Sequence, residues 1–188
     1  MKLKLDLHTH CGEATASPYV TEEIAKRIVK SIKAKGLNGI AITEHNDKTF
    51  GYKTKHIVEN IYNGEVLIIP GQEVDVKLVQ IVELYLPCDL TFSFLAHPGF
   101  PWWDVKFTEY IPYIQGIEID NALHSDEIDR ERVMAFAKKY DLLLLSNSDA
   151  HDLNDIGQCY NEVRMEELCE RAQHAPPPLS NRSVSQLF

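Results

Sequence analysis

Short apolar runs alternate along this chain with stretches of helical spacing, and almost every run ends on a histidine or an acid. "KLKLDL" leads into His8 and His10, "GIAIT" into His45, "EVLIIP" into Glu73 and "FSFLA" into His97. Further on, "GIEI" precedes His124, and "LLLLS" precedes Asp149 and His151. Aliphatic and β-branched runs this short read as strands. Between them, Thr21 can cap a helix reaching about Lys35, with Ile24, Ile28 and Ile32 on one face and Gly36 as the stop. A second helix is expected around Lys53–Tyr62. A third is expected over Asp126–Tyr140, with Ile128, Val133, Met134, Phe136 and Ala137 as its apolar set. The alternation predicts an α/β architecture with a largely parallel sheet. The third strand is expected to end at Pro70–Gly71, and Val74–Leu86 fits one long strand or a hairpin.

Parallel strands place the loops after their carboxyl ends on one face, whether the sheet is open or closed. Six of the eight histidines fall at such ends, leaving only His56 and His174 elsewhere. His8 and His10 are two apart on an extended backbone, so they project from the same face. Neutral imidazole with carboxylate suits first-row divalent cations, and one carboxylate has two oxygens with which to span a pair of them. The pattern therefore predicts a polyhistidine metal site. Plainer roles stay open for some members. His97 in "AHPG" also fits a turn, His124 a solvated loop, and Glu13 in "GEATASP" a simple approach to a helix. Glu118 fits a partner behind the ligands or a carboxylate inside the sheet, and Trp102 and Trp103 fit a pocket lining or a satellite cluster.

With 188 residues the chain supports one sizeable core, and a single compact domain is expected over 1–173. From His174 onward, three consecutive prolines and "LSNRSVSQLF" read as a loosely held tail, 174–188. The net charge of −9 disfavours long nucleic acid as a partner, because phosphate-backbone affinity comes from surplus Lys and Arg. A small phosphorylated substrate remains open, since bound cations reverse the local field. No run is long and apolar enough for a membrane span, and the charged N-terminus is unlike a signal peptide, so a cytoplasmic protein is expected. The four cysteines show neither disulfide nor zinc-finger spacing; Cys11, beside His10, is a ligand or a reduced bystander.

The segments "DLHTH", "AITEHN", "GQE", "AHPGF", "GIEIDNALH" and "SNSDAH", in this order over residues 5–163, resemble the PHP (polymerase and histidinol phosphatase) family of metal-dependent phosphoesterases. The resemblance implies a distorted seven-stranded (β/α) barrel with two or three divalent metals, zinc, manganese or iron, in its mouth. Carried over residue by residue, it implies one metal on His8, His10, Glu73 and Asp149. Glu73 would bridge to a second metal on His97 and His124, and a third would take His45, His151 and Glu13. His45, Asp149 and His151 are the candidate catalytic residues. The implied reaction is hydrolysis of a small phosphate monoester by a hydroxide generated at the metals, with His45 or His151 protonating the leaving oxygen if the third position is empty. Two alternatives are a phosphodiesterase or exonuclease and a non-catalytic, metal-stabilised domain. The chain departs from the family pattern where Glu44 replaces the usual Asp before His45, and in the short interval of 23 residues between Glu73 and His97.

Overall fold

The computed structural model of the chain describes residues 1–99 and 106–174. Seven strands form the wall of a nearly closed, barrel-shaped sheet: β1 (Leu3–Asp6), β2 (Gly39–Ile42), β3 (Leu67–Val76), β4 (Val79–Leu86), β5 (Leu90–Leu95), β6 (Gly116–Asn121) and β7 (Leu143–Asn147). They follow one another in chain order, and β8 (Asn161–Val163) pairs with the outer side of β1. A distorted α/β barrel of the expected kind results.

The wall is largely parallel, with one strand reversed. Parallel ladders join β1 to β2 to β3 and β5 to β6 to β7, whereas β4 runs antiparallel to both of its neighbours. The reason lies in β3, which runs through Pro70–Gly71 where the sequence suggested an end. Its first half pairs with β2, up to Pro70 opposite Ile42, and its second half, from Gly71 opposite Leu84, pairs with β4. Proline has no N–H for a ladder, and here it stands where the strand exchanges one partner for the other. A Cβ on Gly71 would come within 2.7 Å of the Glu83 carbonyl oxygen, so only glycine admits that close approach. Val74–Leu86 is accordingly a hairpin, and Glu73 sits inside β3 opposite Val82 and not in a loop after it.

Two devices close the wall between β7 and β1. At the carboxyl ends, the backbone bonds Asp149 N–H to His8 O and His10 N–H to Ala150 O, both 2.9 Å, knit the two chains directly. Lower down, the Asn161 side chain takes the place of a strand: it accepts from Ser146 N–H at 2.9 Å and donates to Ser146 O and to Asn147 Oδ1.

Helices cover the outside. The hydroxyl of Thr21 accepts from Ile24 N–H and starts α2, after the four-residue α1 (Cys11–Ala14). α2 (Glu22–Ala34) ends before Gly36 at φ 67°, as the sequence suggested. α3 (Thr49–Ile61) begins earlier than expected because Asp47 accepts from Thr49 N–H at 2.7 Å and organises its first turn. α4 (Arg130–Tyr140) begins later, since Asp129 caps it through Arg132 N–H and Ser125–Glu127 forms a separate 3-10 turn. Val133 and Ala137 are buried as anticipated, while Met134 is exposed.

Leu5, Leu7, Val82, Leu84, Phe92 and Phe94 fill the barrel, joined at the strand starts by Leu168 of α5 (Met165–Arg171). His174, placed in the tail by the sequence, belongs to β9 (Gln173–His174), which pairs with Leu90–Thr91; the rest of the tail, 175–188, lies outside the described residues. Among the described residues, no helix is long and apolar enough to cross a membrane.

Candidate metal centre

With one end of the barrel filled by leucine and phenylalanine, the other end, at the carboxyl termini of β1, β2, β5, β6 and β7, holds a pit of imidazoles and acids. Every histidine, aspartate and glutamate named as a candidate ligand from the sequence converges there. Three groups have donor atoms within 4.8 Å of one another: His8, His10 and Asp149; His97, His124 and Asp149; and His10, Glu13, His45 and His151.

Two deeply buried carboxylates divide the space. Glu73 Oε1 lies 3.5 Å from His8 Nε2 and 3.1 Å from His97 Nε2, while its Oε2 lies 3.4 Å from His10 Nε2 and 3.1 Å from His45 Nδ1. Asp149 does the same from the opposite wall. Its Oδ1 is 3.5 Å from His8 Nε2 and 3.2 Å from His10 Nε2, and its Oδ2 is 3.9 Å from His97 Nε2 and 3.7 Å from His124 Nε2. His151 Nε2 stands 3.7 Å from Glu13 Oε2 at the open side. Asp149 thus faces two groups, whereas the family pattern assigned it to one.

These spacings are the test of fit for a cation. Donors bound at about 2.0–2.1 Å around a tetrahedral ion stand about 3.3 Å apart, which is the separation seen within the group of His8, His10, Glu73 and Asp149. Asp149 Oδ1 and His10 Nδ1 are buried with no hydrogen-bond partner among the described residues. An acceptor oxygen left in that state beside two ring nitrogens is costly unless an ion completes it. The donor set, imidazole with carboxylate and no thiolate, suits zinc, manganese or iron. Cys11, the first residue of α1, is buried beside Thr9, its thiol pushed further up by burial, and stands outside the donor groups.

Opposed charges dominate the electrostatics. Burial opposes a charge on His8, yet Asp149, Glu73 and Glu118 outweigh it and hold its pKa well above the imidazole range. His10 is raised to about 9 by the carboxylates of Asp149 and Glu73 beside it, against the same burial. Burial likewise favours neutral acids, but the imidazoles hold Glu73 and Asp149 below the usual carboxylate range. The pit is anionic wherever the imidazoles are neutral.

Backbone strain marks the ligand loops. His97 has φ 23° and Asp149 φ 56°, in the region that non-glycine residues seldom occupy. Asp149 is held there by the β1–β7 seam and by Asp6, whose carboxylate accepts from Ser148 N–H at 3.1 Å, Ser148 Oγ–H and Gly157 N–H at 2.8 Å. Burial raises the Asp6 carboxyl to about 6 despite these bonds. Sequence reasoning did not single out Asp6; the acid two residues before His8 on the same face of an alternating strand was the available signal. Glu44, the departure noted above, accepts from Gly12 N–H at 2.7 Å, tying α1 to the loop after β2. Glu118 contacts His8 from behind, and Trp102 and Trp103 lie outside the described residues.

Comparison with known proteins points the same way. Residues 127–173 match the family described as PHP-associated. A "probable phosphatase" of Caldicellulosiruptor bescii is 24% identical over 232 aligned positions, covering 98% of this chain and 94% of the relative. That alignment is longer than the chain, so the relative carries segments that this chain lacks. Among solved structures, a candidate metal-dependent phosphoesterase from Bifidobacterium adolescentis superposes with a TM-score of 0.67 at 13% identity, over 89% of this chain and 96% of its own. PsfC from Pseudomonas syringae gives 0.66 at 16% identity, over 92% and 89%. An amidohydrolase from Chromobacterium violaceum, solved with sulfate and no metal, gives 0.62 at 16% identity, over 90% and 97%. At these identities the structures speak for a shared fold. Together with the ordered motifs and the donors gathered at the strand ends, they make the chain similar to PHP-type metal-dependent phosphoesterases.

Proposed function

We propose that this metal-dependent hydrolase removes phosphate from monoesters of small molecules. The observation that carries the reading is the contrast between the pit and its rim. The loops after β1, β2, β6 and β7 (7–21, 43–48, 122–129 and 148–160) contain one cation, Lys48, among many acids that include Glu13, Asp47, Asp126, Asp152 and Asp155. Lys48 Nζ lies over the Tyr85 ring, 5.4 Å from its centre. A nucleic-acid strand needs a track of cations for its successive phosphates, and this part of the rim, the four loops named, supplies none. It suits one phosphoryl group held inside the pit and a leaving alcohol without further negative charge.

His8, His10, Glu73 and Asp149 would hold one divalent cation, His97 and His124 with the same two carboxylates a second, and Glu13, His45 and His151 a third. Bound cations supply Lewis-acid polarisation of the phosphoryl oxygens and an acidified water near neutral pH. The chain's own groups do the rest. Glu73 and Asp149, only 2% and 3% exposed, keep their charge and divide the positions. His45 and His151, 42% and 33% exposed, stand where a substrate enters. Either one, when it carries a proton in place of a cation, protonates the leaving oxygen.

The test is phosphate release from a panel of monoesters by metal-loaded protein, alongside bis(p-nitrophenyl) phosphate and single-stranded DNA. Monoester turnover that disappears in His8→Ala is expected. Turnover of the diester or DNA with no monoester hydrolysis would replace this reading by the phosphodiesterase one.

A further inference from the structure

Glu118 and Asn121 are three residues apart on β6, a spacing that puts side chains on opposite faces of a regular strand. The register of β6 against β7 shifts between Glu118 and Asp120, and this bulge turns both side chains toward the pit. Glu118 is fully buried. Its Oε1 lies 3.0 Å from His8 Nδ1 and accepts from Asn147 Nδ2 at 2.8 Å, and its Oε2 accepts from the His97 backbone N–H at 2.7 Å and from Asn121 Nδ2 at 2.9 Å. Asn121 carries the chain of contacts onward. Its Nδ2 also reaches Asp149 Oδ2 at 3.2 Å, and its Oδ1 accepts from the N–H groups of Leu123 and His124, both at 3.0 Å.

The donor and acceptor inventory fixes what this arrangement does. An ionised carboxylate only accepts, so Nδ1 of His8 must carry the hydrogen and its Nε2 lone pair faces the pit. The same carboxylate holds the His97 backbone at its strained φ of 23°. One residue pair on one strand therefore touches the ring of His8, the backbone of His97 and of His124, and the carboxylate of Asp149. We propose that Glu118 and Asn121 are positioning residues that pre-set the ligands of both buried cation positions, so that the two positions fill as a unit. This rests on the pit being a metal centre and is independent of which ester is hydrolysed.

Two variants of the full chain test it, with zinc and manganese ions as the probes. Glu118→Gln preserves shape but sets an amide N–H against a donor from His8 or His97. Metal affinity, measured by competition with a chromogenic chelator, should fall about 10- to 100-fold. The rise in Tm on metal addition should shrink with it, although the metal-free protein still folds. Asn121→Ala leaves the Glu118–His8 contact in place, and its metal content should fall by about two equivalents, because neither buried position fills without the other. It decides the question should Glu118→Gln fail to fold. Wild-type affinity and content in both variants would overturn the proposal, as would equal drops in Tm with and without metal, which mark a purely structural role. Wild-type protein that takes up no metal would instead remove the metal centre itself.

Discussion

Stripping the cations from the pit should reverse how the protein's stability responds to pH. In the metal-free chain His10 titrates at about 9 against 6.5 in an unfolded peptide, because Asp149 and Glu73 hold its proton and outweigh burial. A folded pKa raised above the unfolded one gives stability that is fully present below 6.5 and is lost as pH climbs through 9. At about 1.4 kcal/mol per pH unit, that interval corresponds to a loss of order 3 kcal/mol, and His8, raised by the same acids, acts in the same direction. For a chain of this length the loss lowers Tm by roughly 6–12 °C. The loaded protein behaves oppositely, since its imidazoles must be neutral to bind and protons compete with the ions. Differential scanning calorimetry on chelator-treated and metal-reconstituted protein at pH 6.5, 7.5 and 9 reads both trends. Metal-free Tm that stays level or rises across this range would refute the charge arrangement derived for the pit.

Asp149→Asn should still fold, since asparagine tolerates φ 56°, yet lose most of its metal and at least about 100-fold in activity. Circular dichroism, metal analysis and phosphate release separate the two effects. Treatment with a chelator should abolish turnover, and added manganese, zinc or iron should restore it in proportion to metal content. Gly39→Ala would place a Cβ 2.2 Å from the Leu67 carbonyl oxygen on the adjoining strand. Urea unfolding should show a loss of about 1–3 kcal/mol with no change in metal affinity.

The donors were legible because strand chemistry exposes them: a two-residue period puts His8 and His10 on one face, and each later ligand follows an apolar run. Strand direction was not, since an apolar run reads alike in either orientation and β4 runs against both of its neighbours. Pro70–Gly71 looked like a terminus because those residues usually break strands, but here they mark a change of partner. The placing of Glu118 and Asn121 depends on a bulge, which has no composition of its own. Likewise the strained backbone at His97 and Asp149 follows from the seam and from Glu118, contacts between residues far apart in the chain. β8, α5 and β9 are too short for periodicity to reveal, although Asn161 in β8 completes the wall.

The seam between β1 and β7 also bears on synthesis. His8 and His10 emerge early, but the aspartate opposite them follows 141 residues later, which takes roughly 7–30 s at ordinary translation rates. Until then the group of His8, His10, Glu73 and Asp149 lacks its last carboxylate. Ion capture is thereby deferred until the finished polypeptide can impose its own geometry on the incoming atom.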